Sequence, residues 1–206
     1  MNQSVKSHAP MEVLWPKILY FGTPVVLLTT LNGDGSSNIT PLSSAWALSD
    51  RVVLGLAEGS HGLDNLRRNG ECVVNIASAE LWGNVEALAP LTGASPVPKY
   101  KRLRFRYESD KFAASGLSRI PSHRVRPSRI AECPIQIEAR VTAVHPGGAA
   151  TPFAIVEVES LMVYAHQSIV RDPHHIDPSA WHPLIYSFRH YYGLGDELGK
   201  TFRAEI

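Results

Sequence analysis

Two short segments of this chain concentrate groups suited to holding a phosphorylated planar ligand. In Asn38-Ile39-Thr40-Pro41-Leu42-Ser43-Ser44-Ala45-Trp46, an extended strand would place Thr40, Ser44 and Trp46 on one face and Ser43 and Ala45 on the other. Hydroxyls and amides beside apolar residues can meet the polar edge of a flat heterocycle and wall its apolar edge. A half-exposed strand whose hydroxyls face water accounts for the same residues. The second segment, Gly59-Ser60-His61-Gly62, leads into a stretch of helical character. A loop ahead of a helix presents free N–H groups and the positive end of the helix dipole, which suits a phosphate. Ser60 adds a hydroxyl, and His61 a cation when protonated. Ser60 as a simple N-cap with His61 in water is the alternative. Taken in order, with an apolar strand between them, the two segments outline a pocket for a ring and its phosphate, and a flavin is the ligand to test.

The surrounding elements must position these groups. Val25 to Thr30 is a short β-branched apolar run, predicted as a buried strand. Asn32-Gly33-Asp34-Gly35 is a hairpin turn signal. Asn38 to Leu48 is predicted as one strand disturbed at Pro41, where a ladder donor is missing. Arg51 to Ala57 and Glu71 to Ala77 are further strands. Between them Leu63 to Asn69 is predicted helical, with Ser60 at the N-cap, Arg67 and Arg68 in the last turn and Gly70 as the stop. Ala79 to Leu88 is a second helix, followed by a Pro-rich connection and the basic run Lys99 to Arg106. Ile135 to His145 and Phe153 to Ala165 are long strands joined by a turn at 145–152. Asp172 to Ile206, rich in His, Pro, Tyr and Gly, reads as a functional loop. No repeat or linker divides the chain, so 1–206 reads as one domain, with 1–10 a loosely held polar leader. Some six strands with short helices between them argue for one antiparallel barrel over a βαβ sheet.

Composition excludes several classes. The 206 residues are 44% hydrophobic and 19% charged, as for a globular chain with a real core. Twenty Lys and Arg against 19 Asp and Glu leave no global attraction for nucleic acid or anionic membrane. No apolar run is long enough to span a bilayer, and the N-terminus has no signal-peptide core. Cys72 and Cys133 sit in apolar contexts without a CxxC partner and read as buried hydrophobes. A cytoplasmic location is therefore expected. The basic run could grip a nucleotide's phosphates, though a solvated face is the plainer reading. His174, His175 and His182 with Asp172 and Asp177 raise a metal site, but adjacent histidines point apart and a substrate-side loop is preferred, so no metal is expected.

The ordered set TPVVLLTT, NGDG, NITPLSSAWALS and RVVLGLAEGSHGLDNLRRNGECVVNI resembles the flavin reductase-like family, the FMN-binding split barrels. The resemblance continues through Phe112–Leu117, Arg129–Ile135, Asp177 and the Tyr191–Gly195 tail, from Pro16 onward. It implies a mainly β fold with short helices: an antiparallel, Greek-key-like split β-barrel with flanking helices. It implies FMN as cofactor, with Asn38, Thr40, Pro41, Ser43, Ser44, Ala45 and Trp46 along the ring and ribityl chain. Ser60, His61 and Gly62 would take the phosphate, supported by Asn65, although many relatives carry a Lys or Arg, an Asp and a Thr in that loop. It implies an NAD(P)H-dependent flavin oxidoreductase in which NADH or NADPH gives hydride to flavin N5. A homodimer with FMN near the interface and a partner oxygenase receiving reduced flavin follow from the same likeness. His190 is the candidate catalytic residue and Tyr192 a candidate cofactor contact, since an imidazole beside tyrosines could stack on or donate to a flavin. A flavin electron carrier with a protein redox partner, and an FMN enzyme acting on an organic substrate, stay open as alternatives.

Overall fold

The computed structural model describes residues 9–148 and 152–202. The polar leader expected over 1–10 falls largely on 1–8, and the tip of the turn expected at 145–152 on 149–151. These, with 203–206, lie outside the described residues.

Strands form where apolar residues alternate between two buried environments. After a short strand Phe21–Pro24 (β1), Val26–Leu31 (β2) is buried along its length. Val26 and Leu28 enter one apolar cluster and Leu27 the opposite one, as a period of two requires. The expected turn follows, closed by the Asn32 N–H donating to Ser36 O at 2.8 Å. Ser37–Leu42 (β3), Ala45–Leu48 (β4) and Arg51–Ala57 (β5) come next. The single strand expected from Asn38 to Leu48 is thus two. Its break lies at Ser43-Ser44, while Pro41 stays in the ladder opposite Leu27. Proline is tolerated there because β3 is a sheet edge, where one row of N–H groups has no strand partner.

His61–Asn69 (α1) ends where Gly70 adopts φ 68 and donates its N–H to Leu66 O. Only a residue free of Cβ takes that left-handed position at little cost. Leu63 and Leu66 turn inward and are fully buried; cutting either to alanine would cost about 2–5 kcal/mol. Glu71–Ile76 (β6) follows. The expected helix at Ala79–Leu88 is a 3-10 turn, Ala79–Leu81, running into Trp82–Leu88 (α2). Lys111–Ser115 (α3) is capped by the Asp110 carboxylate, which accepts from the Ala113 N–H. The long strands are Ile135–Pro146 (β7) and Phe153–Ala165 (β8). The region read as a loop contains a hairpin, Ile185–Ser187 (β9) and His190–Tyr192 (β10). It turns through Phe188 and Arg189 at φ 43 and 71, a left-handed pair that costs about 1–2 kcal/mol per residue. The Phe188 N–H donating to Tyr20 O helps hold that turn.

The main sheet runs β3-β2-β6-β7-β8-β5-β4, antiparallel throughout. β3 and β4 are neighbours in sequence yet stand at opposite edges, joined by two residues. The sheet must therefore curl until its edges approach at Ser43-Ser44, and it stays split there. One cluster, with Val26, Leu28, Leu54, Leu63 and Val156, fills the curl. The second, with Leu27, Ile39, Val85, Leu88 and Phe112, packs α2 and α3 on the outer face. Cys72 and Cys133 are buried, one in each cluster. Burial pushes the Cys72 thiol up to about 12 and raises that of Cys133 as well, so both act as small hydrophobes. A smaller sheet, β1-β9-β10, is separate in its hydrogen bonding. No helix among the described residues is long and apolar enough to cross a membrane.

Candidate functional site

Between the edge of the main sheet, α1, α2 and the small sheet lies a cavity of about 450 Å³. Its floor is Thr40, Pro41 and Leu42 of β3, the Ser43-Ser44 connection, and Gly55 to Ala57 of β5. Tyr20, Tyr186 and Tyr191 close one side, and Ser60, His61, Lys101, Phe105 and Lys111 another. Thr40, which packs against Gly62 of α1, and Ser44, which bonds to Tyr20, lie four residues apart along the floor and mark two chemically distinct ends.

One end is polar and cationic. α1 begins there, and close packing sets its position: a Cβ on Gly62 would lie 2.5 Å from Thr40 Oγ1. Ser60 has the backbone angles of an N-cap, and its carbonyl accepts the Asp64 N–H at 3.1 Å. Its hydroxyl makes no cap bond, however, and Oγ is buried with no partner among the described residues. The capping role expected of that side chain is therefore not played, and the oxygen stays available to a ligand. His61 Nε2 lies 2.8 Å from Asn32 Oδ1; a carbonyl oxygen only accepts, so that nitrogen carries the proton. Burial, then the nearby Lys111 charge, lowers the His61 pKa. The imidazole is consequently neutral near pH 7, and the cation expected from His61 is supplied instead by two lysines.

Lys101 Nζ donates to Gly59 O at 2.9 Å, and the Tyr100 hydroxyl donates to the same oxygen. The basic run, expected as a solvated face, thus straps the loop ahead of α1. Its Lys101 and Phe105 face the cavity, while Lys99, Arg102, Arg104 and Arg106 are exposed. Lys111 is only 4% exposed. Its Nζ donates to Ile39 O at 2.8 Å, and no ion pair to a carboxylate forms among the described residues. The adjacent Asp110 is engaged by Arg119 and the Ala113 N–H. Burial lowers the Lys111 pKa to about 8, with Lys101 adding to the effect. An uncompensated buried ammonium is costly, by several kcal/mol, and among the described residues no Asp or Glu lines this cavity.

The other end is aromatic. Ser44 Oγ donates to the Tyr20 hydroxyl at 3.1 Å. Tyr20 meets Tyr186 edge-on at 5.4 Å, and Tyr186 meets Tyr191 at 5.6 Å. Val85 and Leu88 of α2 complete an apolar wall. Tyr191 donates to Glu86 Oε2 at 3.1 Å; burial and that carboxylate push its phenol up to about 12, so it stays neutral. A wall of this kind suits the face of a planar ring.

The structure brings Thr40, Pro41, Ser43, Ser44, Ser60 and His61 together around one cavity. Asn38 stands behind them, donating to Thr40 Oγ1 at 3.0 Å. Gly62 and Asn65 are supports: Asn65 is fully buried and donates to Thr30 Oγ1 and Asn32 Oδ1, both at 3.0 Å. Ala45 packs against the inner cluster. Trp46 is 58% exposed and outside the cavity, because the break at Ser43-Ser44 ends the shared face expected with Thr40 and Ser44. His190 and Tyr192 are exposed and do not line the cavity; Tyr191, between them on β10, does. Strand alternation is the reason. Tyr192 instead borders a second hollow of about 370 Å³ with Trp82 and Tyr191. His175 Nδ1 lies 2.8 Å from Asp172 Oδ1, and no group of three His, Cys, Asp or Glu that could hold a metal forms among the described residues.

Sequence reasoning passed over Tyr20, Tyr186 and Lys111, and it met Lys101 only within the basic run, where a solvated face is the plainer reading. Lys111 adjoins the Phe112–Leu117 stretch, but a lysine opening a short helix ordinarily reads as solvated. Only the packing of α3 over the β3 edge buries it.

Residues 18–195 match the protein family described as Flavin reductase like domain. The chain is 49% identical to the protein YdfE of Bacillus subtilis (strain 168) over 191 residues, 92% of each. It is similar to the solved structure of flavoredoxin from Desulfovibrio vulgaris (Miyazaki F), with 22% identity, 99% of each chain covered and a TM-score of 0.73. It is also similar to nitrilotriacetate monooxygenase component B from Bacillus cereus, at 15% identity, with 94% of this chain and 100% of that one covered and a TM-score of 0.73. The structural likeness establishes the fold, and the split-barrel architecture expected from the sequence is the one observed.

Proposed function

Because this chain belongs to the flavin reductase-like family, we propose that its 450 Å³ cavity binds FMN and that the protein is an NAD(P)H-dependent flavin oxidoreductase. The observation that carries this reading is the cavity's polarity. An orphaned Ser60 hydroxyl, the start of α1 and a buried ammonium without a counter-ion occupy one end, and three tyrosines the other. The residues present fit the group: a phosphate answers the first end and a flat ring the second.

When bound, FMN supplies the redox chemistry, accepting a hydride from NADH or NADPH at N5. The chain's part is positioning. Thr40, Ser43 and Ser44 present hydroxyls along the floor, and Tyr186 and Tyr191 restrict the ring's movement. The apolar wall of Val85 and Leu88 excludes water from the site. No side chain here needs to transfer a proton, consistent with the exposed position of His190.

A second copy of the chain would complete the site. β4 is a sheet edge, and its Trp46 and Leu48 are 58% and 71% exposed directly after the Ser43-Ser44 seam. Apolar residues on an open edge call for a cover, and a homodimer with FMN near that seam supplies one. Delivery of reduced flavin to a partner oxygenase in the cytoplasm is the extension of this reading. An electron carrier serving a protein redox partner is the second reading. The exposed Lys99, Arg102, Arg104 and Arg106 beside the cavity, none of them ion-paired among the described residues, favour an acidic partner.

The test is visible absorbance of the purified protein, then anaerobic mixing with NADH and with NADPH. A flavin spectrum that bleaches with either donor is expected. A flavin spectrum unchanged by both would leave the electron carrier, and a colourless protein that takes up no added FMN would remove both readings.

A further inference from the structure

We infer that the hollow lined by Ala79, Trp82, Leu184, Tyr191, Tyr192 and Gly193 is a second binding site, and that it takes a small, uncharged, planar aromatic molecule. The inference goes beyond the reading of the main cavity as a flavin site and does not depend on it.

The hollow forms where the start of α2 meets the end of the β9-β10 hairpin. The Leu184 N–H donates to Ala77 O, and the Ala79 N–H to His182 O, both at 2.9 Å. These bonds hold the 3-10 turn ahead of α2 against the segment entering β9. The chain leaving β10 returns to the same turn, where a Cβ on Gly193 would lie 3.5 Å from the Ala79 Cβ. Trp82, the first residue of α2, and Tyr192, the last of β10, therefore face one space from two elements. Leu184, 1% exposed, adds a buried apolar surface.

Three observations set the chemistry of the occupant. The first is exposure: Trp82 is 57% and Tyr192 54% exposed, although both border a hollow of about 370 Å³. Open aromatic rings around a concavity mark a ligand site, and this volume lies near the lower end of the roughly 300–1,000 Å³ usual for one. The second is charge. Among the described residues no Lys, Arg, Asp or Glu lines the hollow, so an ion placed there would lose water without gaining a partner. The third is the lining itself, an indole and two phenols, whose faces and edges favour a flat ring over an aliphatic one. His190, its ring 6.5 Å from that of Tyr192, offers an imidazole beside the hollow to a hydroxyl on such a ligand.

Position gives the site its consequence. Tyr191 lines both hollows, and its hydroxyl is tied to Glu86 of α2. The same helix sends Trp82 to the second hollow and Val85 and Leu88 to the main cavity. An aromatic compound bound at Trp82 and Tyr192 thus rests against a wall of the main cavity, with Tyr191 between the two occupants. A second copy of the chain packed over Trp82 and Tyr192 is the competing occupant.

The experiment uses the full chain as wild type, Trp82→Ala, Tyr192→Ala and, as a control in the main cavity, Tyr186→Ala. Trp82 and Tyr192 are both more than half exposed, so their loss should leave the fold intact. Each protein is titrated calorimetrically, with and without added FMN, using 2-naphthol, uncharged at neutral pH, and naphthalene-2-sulfonate, the same ring carrying a charge. Saturable 2-naphthol binding is expected in wild type, in the presence of FMN as well as without it. Trp82→Ala and Tyr192→Ala should each weaken it about 10-fold, Tyr186→Ala should leave it unchanged, and the sulfonate should bind at least about 10-fold more weakly. No saturable binding, or binding lost in Tyr186→Ala or on adding FMN, would overturn the assignment, the latter pair placing the probe in the main cavity. Equal affinity for the sulfonate would overturn the stated chemistry. A mass that falls by half in Trp82→Ala, with probe binding unchanged, would make the hollow a contact between copies. Binding that depends on Trp82 and Tyr192 in a protein that takes up no FMN would keep this site while the flavin reading fails.

Discussion

Lys111 Nζ donates to the main-chain oxygen of Ile39 at 2.8 Å, from a side chain that is 4% exposed. α3 is thereby fastened to the outer row of carbonyls on β3, an edge that the main sheet leaves unpaired. The same contact carries a positive charge into the end of a cavity where α1 begins. A single hydrogen bond therefore joins the architecture of the split sheet to the electrostatics of its site.

The first consequence is a pH dependence. The Lys111 pKa is lowered from 10.5 to about 8 by burial and by Lys101. Between these values the unfolded chain holds the proton and the folded one does not, so stability of the flavin-free protein should rise with pH from about 8 to 10.5. The full effect is on the order of 3 kcal/mol, and chemical denaturation at pH 7 and pH 10 would measure it. FMN binding has the opposite sign. The ligand favours the ammonium, so affinity should fall as pH rises above 8, with riboflavin affected less. His61, already neutral at pH 7, adds no transition in that window. A flat FMN affinity from pH 7 to 10 would contradict this.

Ser60→Ala separates a cap from a ligand contact. An N-cap serine lost to alanine ordinarily costs about 1 kcal/mol. Here the hydroxyl makes no cap bond, so the thermal midpoint of the flavin-free variant should match wild type. FMN affinity should drop about 10- to 100-fold, as for a neutral-to-charged hydrogen bond, and riboflavin affinity should not change. A substantially lower midpoint would restore the capping role.

Gly62→Ala should strain the joint between α1 and β3. The added methyl would meet Thr40 Oγ1 at 2.5 Å and Thr40 Cβ at 3.2 Å. Overpacking of this kind costs about 1–3 kcal/mol. It should lower the thermal midpoint and weaken both flavins, since Thr40 and the start of α1 move apart together. Calorimetry of the flavin-free form is the direct measurement.

Tyr186→Ala removes the central ring of the Tyr20, Tyr186 and Tyr191 wall. Both FMN and riboflavin should weaken by a similar factor, about 10-fold for the loss of one aromatic packing contact. Preferential loss of FMN would mean that the ring does not lie at that end.

Trp46→Arg addresses the proposed dimer. Trp46 is 58% exposed on the edge strand β4, and a charge there should prevent apolar contact between two copies. Light scattering should report a dimer for wild type and a monomer for the variant, with weaker FMN binding in the variant. An unchanged mass would place any interface elsewhere.

Much of this protein was legible along the chain because its causes are local. Alternation in Arg51–Ala57 and Phe153–Ala165 reproduces the observed strands. The Gly70 stop with Arg67 and Arg68 in the last turn marked the end of α1 to the residue. Thr40, Ser43, Ser44, Ser60 and His61 announced themselves by residue type, and they do share one cavity. What the tertiary structure decided is everything that depends on distant segments meeting. The break at Ser43-Ser44 arises because a curled sheet must bring its two edges together, a requirement no neighbouring residue encodes. Trp46 is turned outward for that reason. Tyr20, Lys111 and Tyr186 come from three remote stretches and read singly as ordinary surface or core residues. Packing alone buries an ammonium without an anion and leaves a serine hydroxyl without a partner among the described residues, and those two unmet demands define the polar end of the cavity.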